Sequence, residues 1–564
     1  MKRLLLILAA SITFGLSAAA QFPIQVGMLP DNVLVYNDEE SGPDGRLPFM
    51  KPMWFIYPDS PCSQEEADAL LTELGLKGIL KGYVAAALVI NPVDGVAYDR
   101  EKDFALYQEL FHKIRVFVNL KVVGIGNGAT FVNEAIGPVA SEVADIFCFG
   151  GKAPKKVDGV STVPAYLSGK EAAKAAKAYI ARDKAVLVED GKTLKVYRNP
   201  EEPLLQIIVN TEKNPSLKEA FADAWERLLS RNHRASNYKH TGYMGGELGQ
   251  YGDYEPEPYL MWERLGTRRE LCIQQLLPSR QVLTNYLWYE YIPAGMDEAA
   301  PGSVPLVILL HGHNNDPRTQ AESSGFVQLG AEEGFLVAEL EWQGKGDYNF
   351  MDDEGIELTI REIMRRHPQV DPARIYAEGM SAGGFAATAL GIRKPYLFAA
   401  VGAHSGGLFY NEFRLGFPFQ DHDGLMQEAK FLRGKATMPY FSIGGTADDG
   451  VPFMDPDKPN GLLLFNAWKA YQTYNGLEVH ETPDLSKDPI FGISLDNRRR
   501  IETSKRHAME TGDLQDKDGH PILRIVAVED YGHWNFVPGA REMWNFFKHW
   551  SRDPETHESI WHEQ

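Results

Sequence analysis

The segment Gly379-Met380-Ser381-Ala382-Gly383 places a serine between two glycines, after a predicted strand and before a predicted helix of small residues. Flanking glycines allow a tight turn that holds the serine Oγ above the carboxyl end of a sheet, at the positive N-terminus of the next helix. A hydroxyl held there becomes a nucleophile when a neighbouring base takes its proton. The five letters alone also fit an ordinary strand–helix turn, so the partners of the serine decide its interpretation.

Two such partners follow in the chain. Asp448 comes shortly after a predicted strand at Tyr440–Ile443, and His533 comes after a predicted strand at Ile522–Val528. The order serine, carboxylate, histidine is the order of nucleophile, acid and base in α/β-hydrolases. The sequence therefore predicts a Ser-Asp-His constellation at the carboxyl ends of strands.

A third feature fits the same chemistry. His311-Gly312-His313 follows a buried predicted strand at Val304–Leu310, where such a fold places its second oxyanion donor. We expect the backbone N–H groups of His313 and Ala382 to face the oxyanion of a tetrahedral intermediate. His311 itself is expected to be a structural histidine beneath this loop, because the base follows the acid in this fold.

The four ordered motifs resemble those of the poly(3-hydroxybutyrate) depolymerase and feruloyl/acetylxylan esterase group of α/β-hydrolases. They cover residues ~280–550 and comprise His311-Gly312, Gly379 to Gly384, Gly445 to Pro452, and Gly532-His533-Trp534. The resemblance implies that Ser381 is the nucleophile, that His533 is the general base and then acid, and that Asp448 holds the imidazole. The ordered triad at strand ends predicts a metal-independent reaction that needs no cofactor.

His313 departs from the family pattern, and Asp449 offers a second carboxylate beside Asp448. Depolymerases often carry another residue where this chain has His313, but only the backbone N–H of that residue is used. Asp449 stands beside Asp448 and is the competing acid. The spacing Gly-Thr-Ala-Asp-x-x-Val-Pro favours Asp448.

The elements that must position these residues alternate between strand and helix, which predicts an α/β fold with a mostly parallel sheet covered by helices on both faces. The first half repeats this plan. In the first half, 26 residues separate the turn glycine Gly124 from Gly150, the first glycine of a closing pair. In the second half, 27 residues separate Gly379 from the corresponding Gly406. We therefore expect tandem α/β-hydrolase domains.

The first copy lacks the chemistry of the second. Gly126 stands at the nucleophile position, and Ala173 stands where the second copy has Asp448. Without a hydroxyl and an acid the first copy cannot run this reaction. The expected organisation is a signal peptide at 1–20, a non-catalytic hydrolase-like domain at 21–245, a linker at 246–275 and a catalytic domain at 276–564.

A rival motif lies in the first copy. Gly124-Ile125-Gly126-Asn127-Gly128-Ala129 also satisfies the dinucleotide-binding pattern between a strand and a helix. That pattern requires an acidic residue at the carboxyl end of the next strand, for the ribose. Asp145 lies at the opposite end of that strand, so we expect no dinucleotide cofactor.

The charge, the first twenty residues and the cysteines indicate where the protein acts and which partners it can bind. The chain has 564 residues and a formal net charge of −20, which argues against nucleic-acid binding. Lys2 and Arg3, the apolar run Leu4–Leu16 and Ala18-Ala19-Ala20 form an export signal, and no other long apolar run is present. Three cysteines without a Cys-x-x-Cys pair support neither a disulfide scaffold nor a zinc site. We expect a secreted or periplasmic protein, cleaved after Ala20.

These observations lead to one expected function and several alternatives. The expected function is an exported serine esterase that cleaves feruloyl or acetyl esters on plant polysaccharide through an acyl-enzyme. A polyhydroxyalkanoate depolymerase and a serine peptidase are the alternative enzymes, and a carbohydrate-binding protein is the alternative without catalysis. The sequence leaves the oligomeric state open.

Overall fold

The structure is a computed structural model. It describes residues 29–37, 53–83, 86–114, 120–138, 143–154, 163–201, 205–230, 262, 265–279, 282–313, 315, 317–344, 348–408, 422–432, 437–448, 450–458, 460–503 and 507–563. The expected signal peptide, Asp449 and most of the expected linker lie outside the described residues. Within the described part of the chain, no helix combines the length and the apolar character needed to cross a bilayer.

The chain divides into two compact units. The first comprises residues 1–236 with 247–258, and the second comprises residues 237–246 with 259–564.

The first unit is built on a nine-stranded sheet with the strand order β1-β3-β2-β4-β5-β6-β9-β8-β7. Its strands are β1 (Val33–Asn37), β2 (Met53–Tyr57), β3 (Ala86–Ile90), β4 (Leu120–Ile125), β5 (Val143–Phe149), β6 (Ala165–Ser168), β7 (Val186–Asp190), β8 (Leu194–Arg198) and β9 (Gln206–Asn210). Its α-helices are α1 (Gln64–Glu73), α2 (Leu76–Tyr83), α3 (Lys102–Ile114), α4 (Asn127–Phe131), α5 (Ala172–Arg182) and α6 (Leu217–Ala224), with π-helical turns at Val132–Ile136 and Trp225–Leu229.

The second unit is built on a ten-stranded sheet with the order β10-β11-β13-β12-β14-β15-β16-β19-β18-β17. Its strands are β10 (Arg268–Leu276), β11 (Thr284–Ile292), β12 (Val304–Leu310), β13 (Leu336–Leu340), β14 (Val370–Met380), β15 (Ala400–His404), β16 (Tyr440–Gly445), β17 (Asp496–Glu502), β18 (Ala508–Gln515) and β19 (Pro521–Val528), with a separate pair β20 (Trp550–Arg552) and β21 (Ser559–Trp561). Its helices are α7 (Pro317–Ser323), α8 (Phe326–Glu333), α9 (Asp353–Arg366), α10 (Ala382–Arg393), α11 (His422–Leu432), α12 (Leu463–Asn475) and α13 (Val537–Phe547), with a 3₁₀ turn at Met296–Glu298.

The two sheets have the same topology. Strands β1 to β9 correspond to β11 to β19, and corresponding neighbours pair in the same direction. In each sheet an antiparallel pair comes first, five parallel pairings follow, and an antiparallel hairpin closes the end. The prediction of tandem α/β-hydrolase folds is therefore confirmed. Strand β10 and the separate pair β20 and β21 have no counterpart among the described strands of the first unit.

Helices cover both faces of each sheet because successive residues of a strand point to opposite sides. In the first unit Phe55 and Val122 belong to one apolar cluster, together with residues of α3, α4 and α5. Ile56 and Val123 belong to a second cluster, together with residues of α1, α2 and α6. Each such side chain, fully buried, contributes about 1.5–3 kcal/mol.

In the second unit the central strands carry aromatic contacts to both helical layers. Tyr376 of β14 stacks on Phe547 of α13, with ring centroids 5.2 Å apart. Tyr440 of β16 stacks on Tyr471 of α12 at 4.0 Å, and its hydroxyl lies 3.1 Å from Thr388 Oγ1 of α10. These contacts fix α10, the helix that follows Ser381, against the sheet.

Two expectations about the chain organisation need correction. The linker is expected to reach residue 275, but residues from Arg268 onward form the edge strand β10. Leu271 and Ile273 of this strand are exposed and Cys272 is buried, and all nine of its residues pair with β11. The counterpart of Gly150 is Ser405 and not Gly406, because the N–H groups of Gly150 and Ser405 make equivalent bonds to the next strand.

Candidate active site

Ser381 lies in a strained turn at the carboxyl end of β14. Its φ is 51° and its ψ is −115°, a region that side-chain-bearing residues rarely adopt. The strand β14 lies between β12 and β15, and α10 begins at Ala382. The Ser381 N–H donates to the His404 carbonyl of β15 at 2.8 Å, which holds the turn against the sheet. The side chain is thereby presented at the N-terminus of a 12-residue helix.

The glycines of the motif are explained by close backbone approach. A Cβ on Gly383 would fall on the Leu310 carbonyl at the end of β12. A Cβ on Gly379 would fall on the backbone of Gly383. The first turn of α10 therefore packs directly on the ends of β12 and β14, which only glycine permits.

The structure brings Ser381, His533 and Asp448 together in one hydrogen-bonded chain. His533 Nε2 lies 2.9 Å from Ser381 Oγ. His533 Nδ1 lies 2.8 Å and 3.0 Å from the two carboxylate oxygens of Asp448. An ionised carboxylate only accepts hydrogen bonds, so Nδ1 carries the proton and Nε2 presents a lone pair to the serine hydroxyl.

Asp448 is held independently of the histidine. Its side chain is fully buried, and its Oδ1 accepts the backbone N–H groups of Gly450 and Val451, each at 2.8 Å. These bonds fix the carboxylate in the loop that follows β16. Gly450 also lies against the imidazole, since a Cβ there would come 3.2 Å from His533 Nδ1.

A second histidine supports the loop that carries His533. His404 is buried at the end of β15, and its Nδ1 lies 3.3 Å from Asn535 Oδ1. Burial lowers the pKa of His404 to about 4, with a smaller contribution from the nearby His533. His404 is therefore neutral at pH 7. Sequence reasoning missed it, although a histidine at the carboxyl end of a buried strand is the signal that could have found it.

The loop after β12 lies beside the serine. A Cβ on Gly312 would be 3.6 Å from Ser381 Cβ. His313 is exposed, whereas Ala382 is buried as the first residue of α10. His311 is fully buried; its Nδ1 lies 2.9 Å from the Gly312 carbonyl and its Nε2 lies 3.4 Å from Glu341. It is beneath the loop and is not part of the Ser381–His533–Asp448 chain.

Four polar side chains that the sequence analysis did not single out also bind this loop. Trp342 Nε1 donates to the His311 carbonyl at 2.9 Å, and Gln343 Nε2 donates to the Gly312 carbonyl at 3.0 Å. Asn315 Nδ2 donates to Gln320 Oε1 at 2.8 Å. The available signal was the position of Trp342 and Gln343, two residues with N–H donors that follow the buried strand β13 after Glu341.

The first unit contains the same turn without the same chemistry. Gly126 has φ 56° and ψ −113°, and α4 begins at the next residue. A Cβ on Gly126 would fall on the carboxylate of Asp59, which follows β2. Asp59 Oδ1 accepts the Asn127 N–H at 2.7 Å, the group that corresponds to the Ala382 N–H. In the first unit an internal carboxylate therefore accepts the first N–H of the helix that follows the turn.

The remaining positions of the triad also differ in the first unit. Residues 169–171 connect β6 to α5, where residues 446–462 of the second unit form the loop that carries Asp448. Ala173 lies inside α5. Residues 211–216, between β9 and α6, contain no histidine. Asp145 is buried and pairs with Lys121 at 2.6 Å, far from the turn at Gly126.

The second unit thus has the strand order, the strained serine turn and the hydrogen-bonded Ser-His-Asp chain that are typical of α/β-hydrolases. Residues 353–415, from α9 through the Ser381 turn and β15, match the family described as Esterase PHB depolymerase. The chain is 29% identical over 136 residues to a poly(3-hydroxyalkanoate) depolymerase C from Paucimonas lemoignei. That stretch is 22% of this chain and spans 32% of the length of the relative. The chain is therefore similar to depolymerase- and esterase-like α/β-hydrolases.

Solved structures give the same type of resemblance at lower identity. An acetyl xylan esterase from Aspergillus awamori is 13% identical with a TM-score of 0.34, and the match covers 50% of this chain and 99% of the esterase. An S-formylglutathione hydrolase from Agrobacterium tumefaciens is 12% identical with a TM-score of 0.33, covering 50% and 95%. A ferulic acid esterase is 18% identical with a TM-score of 0.27, covering 37% and 86%.

Proposed function

We propose that the second unit is a serine carboxylic-ester hydrolase that forms an acyl-enzyme at Ser381. The observation that carries this proposal is the continuous hydrogen-bonded chain from Asp448 through His533 to the Oγ of a serine in a strained turn. Strain at this position is retained at a cost of about 1–3 kcal/mol, which points to a functional reason for a side chain there.

The reaction follows from the proton positions. Ser381 Oγ attacks the ester carbonyl carbon while His533 Nε2 takes the hydroxyl proton, and the carbonyl oxygen becomes an oxyanion. The intermediate then collapses to the acyl-serine as the imidazolium returns its proton to the leaving alcohol. Water repeats both steps and releases the acid. Asp448 keeps Nδ1 protonated and stabilises the imidazolium throughout.

The backbone N–H groups of His313 and Ala382 are proposed as the oxyanion donors. The N-terminus of α10 adds favourable electrostatic potential at the Ala382 N–H. Donors aimed at the developing charge supply about 2.7–4 kcal/mol each in such sites. The proposal needs no metal or cofactor, because the named side chains and two amides account for every proton and charge in the steps.

For the substrate we propose feruloyl or acetyl esters on plant polysaccharide, on the strength of the motif resemblance. A hydroxyalkanoate polyester is the second candidate, supported by the 29% identity to the depolymerase over 136 residues. Mature protein assayed against methyl ferulate, acetylated xylan and short hydroxybutyrate oligomers separates the two. Highest kcat/KM on the oligomers would replace the first candidate with the second.

A serine peptidase with the same triad is the rival reaction. An acyl-enzyme can form from an amide as well as from an ester, but amides require protonation of a poorer leaving group. We expect hydrolysis of p-nitrophenyl acetate and no comparable cleavage of a peptide p-nitroanilide. Faster cleavage of the anilide would favour the peptidase.

The first unit is proposed to be non-catalytic and to serve packing or substrate capture. The proposal is supported by Gly126 at the nucleophile position and by the Asp59 carboxylate on the Asn127 N–H. The division of the chain into a domain at 21–245 and a catalytic domain that ends at 564 is part of the same proposal. The catalytic domain was expected to begin at 276, and the edge strand β10 moves its beginning to Arg268 or earlier. Export of the protein is proposed from residues 1–20 of the sequence alone.

A further inference from the structure

The Gly312 carbonyl in the loop beside Ser381 receives three N–H donors. Gln343 Nε2 lies 3.0 Å from it, His311 Nδ1 lies 2.9 Å from it, and the Asn315 backbone N–H lies 3.1 Å from it. A carbonyl oxygen only accepts hydrogen bonds, so His311 Nδ1 carries a proton. The carbonyl oxygen offers two lone pairs, and the three donors share them. Together they fix the direction of the C=O bond.

The direction of this carbonyl fixes the direction of the next amide. The peptide unit between Gly312 and His313 is planar and trans, so its N–H points opposite to its C=O. Donors on the Gly312 carbonyl therefore orient the His313 N–H. We propose that Gln343 is a positioning residue, which aims the His313 N–H at the substrate oxyanion through the Gly312 carbonyl. The inference rests on the proposed esterase function of Ser381.

The surroundings of the loop support this role. Gly312 is close to the nucleophile turn, since a Cβ there would come 3.6 Å from Ser381 Cβ and 3.5 Å from the Met380 carbonyl. The peptide before it is held in the same way, because Trp342 Nε1 donates to the His311 carbonyl at 2.9 Å. Two consecutive residues after β13 thus hold two consecutive carbonyls of the loop. Preorganised donors of this kind cost no reorganisation during the reaction.

Gln343 is the member of this group that can be tested without disrupting the core. Trp342, Asn315 and His311 are buried, so replacing them would open cavities or leave polar groups unpaired. Gln343 is only half-buried. Gln343→Met keeps the length of the side chain and removes the donor. Gln343→Glu keeps the shape and places a carboxylate against the Gly312 carbonyl.

A matched control is available at the other end of β14. Gln369 Nε2 donates to the Asp297 carbonyl at 3.3 Å. It lies just before the N-terminal end of β14, and six residue steps of the paired strand β12 separate that end from Gly379, which places Gln369 about 20 Å or more from the reaction. Gln369→Met therefore removes the same type of bond outside the site.

The experiment compares p-nitrophenyl acetate with its thionoester, in which sulfur replaces the carbonyl oxygen. Sulfur is a weak acceptor, so the thionoester gains little from oxyanion donors. We expect Gln343→Met to lower kcat for the ester about tenfold, a fraction of the loss for removing a donor outright, with KM changed less than about twofold. The ratio of ester to thionoester rates should fall about fivefold. Gln343→Glu should show the larger effect, and Gln369→Met should show none.

A kcat for the ester within about twofold of wild type in both Gln343 variants would overturn the inference. So would a fall in kcat that is equal for ester and thionoester, because a general structural loss would not distinguish oxygen from sulfur. Labelling of Ser381 by a fluorophosphonate in the wild-type chain tests the proposed function separately. If the wild-type chain is labelled and both Gln343 variants hydrolyse the ester like wild type, only the role of Gln343 is contradicted. If the wild-type chain is neither labelled nor hydrolyses the ester, the proposed function itself is contradicted.

Discussion

Ser381 and Gly126 occupy the same backbone conformation in the two sheets, with φ and ψ of 51° and −115° for the serine and 56° and −113° for the glycine. Each is followed directly by a helix, and each donates its N–H to the last residue of the neighbouring strand, His404 or Phe149. The conformation is unfavourable for a residue with a Cβ and favourable for glycine. The second unit therefore retains a strained serine where the first has an unstrained residue.

This strain predicts a stability difference between two inactive variants. Ser381→Gly relieves the strained φ, whereas Ser381→Ala keeps the Cβ and the strain. We expect the glycine variant to be more stable than the alanine variant by about 1 kcal/mol, which is about 2–4 °C in the unfolding temperature of a unit this size. Differential scanning calorimetry of both variants measures this. A glycine variant that unfolds at the lower temperature would contradict the presence of strain at Ser381.

The first unit should not become active when a serine is introduced. The side chain of Gly126→Ser would collide with the Asp59 carboxylate, and no histidine in residues 211–216 could act as base. Made in a Ser381→Ala background, the variant should show no ester hydrolysis and should be destabilised by about 1–3 kcal/mol. Adding Asp59→Gly should recover part of the lost stability without activity. Ester hydrolysis that depends on the introduced hydroxyl in this background would show that the first unit retains a working site.

The choice of acid is tested by a pair of neighbouring substitutions. Asp448→Asn leaves the shape intact but allows the wrong histidine tautomer, and should lower kcat by about 10⁴. Asp449→Asn is the matched control, and we expect less than a twofold effect on kcat. Steady-state kinetics on p-nitrophenyl acetate with both variants decides between them. The reverse result would assign the role to Asp449.

Stability should depend on pH through His404. Its pKa is lowered by burial to about 4, whereas an unfolded histidine titrates near 6.5. The folded state therefore disfavours the proton, and the stabilisation is present above pH 6.5 and is lost as pH falls toward 4. The loss amounts to about 3 kcal/mol at most. Urea unfolding at pH 7 and 4.5 should show a larger decrease for wild type than for His404→Gln. Equal decreases would contradict a buried neutral His404.

The fold of the second unit could be predicted from the sequence because apolar runs mark its strands, and the candidate site residues lie at the ends of those strands. Val304–Leu310 and Ile522–Val528 read as strands from apolar runs, and Ser381 and His533 follow such runs at the spacing that the fold requires. Glycines that permit close backbone approach, such as Gly383, marked the turn. Local patterns of this kind are visible in one sequence without knowledge of the partners.

The features that could not be predicted from the sequence depend on contacts between segments that are distant along the chain. The carboxylate of Asp59 fills the turn at Gly126, although the two residues are 67 positions apart in the sequence. Gln343 reaches the Gly312 carbonyl from another strand end. The edge strand β10 mixes charged, polar and apolar residues without a run of apolar ones, and its order comes from pairing with β11. The contact of Asp59 and the pairing of β10 have no periodic or local signature in the sequence, and for Gln343 the sequence shows only an N–H donor shortly after a buried strand.

Trapping the acyl-enzyme tests the proposed role of Ser381 most directly. The wild-type chain, mixed with p-nitrophenyl acetate and quenched in acid, should carry one acetyl group, which peptide mapping places on Ser381. Ser381→Ala should carry none and should lose at least about 10⁴ in kcat while unfolding as cooperatively as wild type. Hydrolysis retained in Ser381→Ala, or an acetyl group mapped to another residue in wild type, would contradict an acyl-enzyme at Ser381.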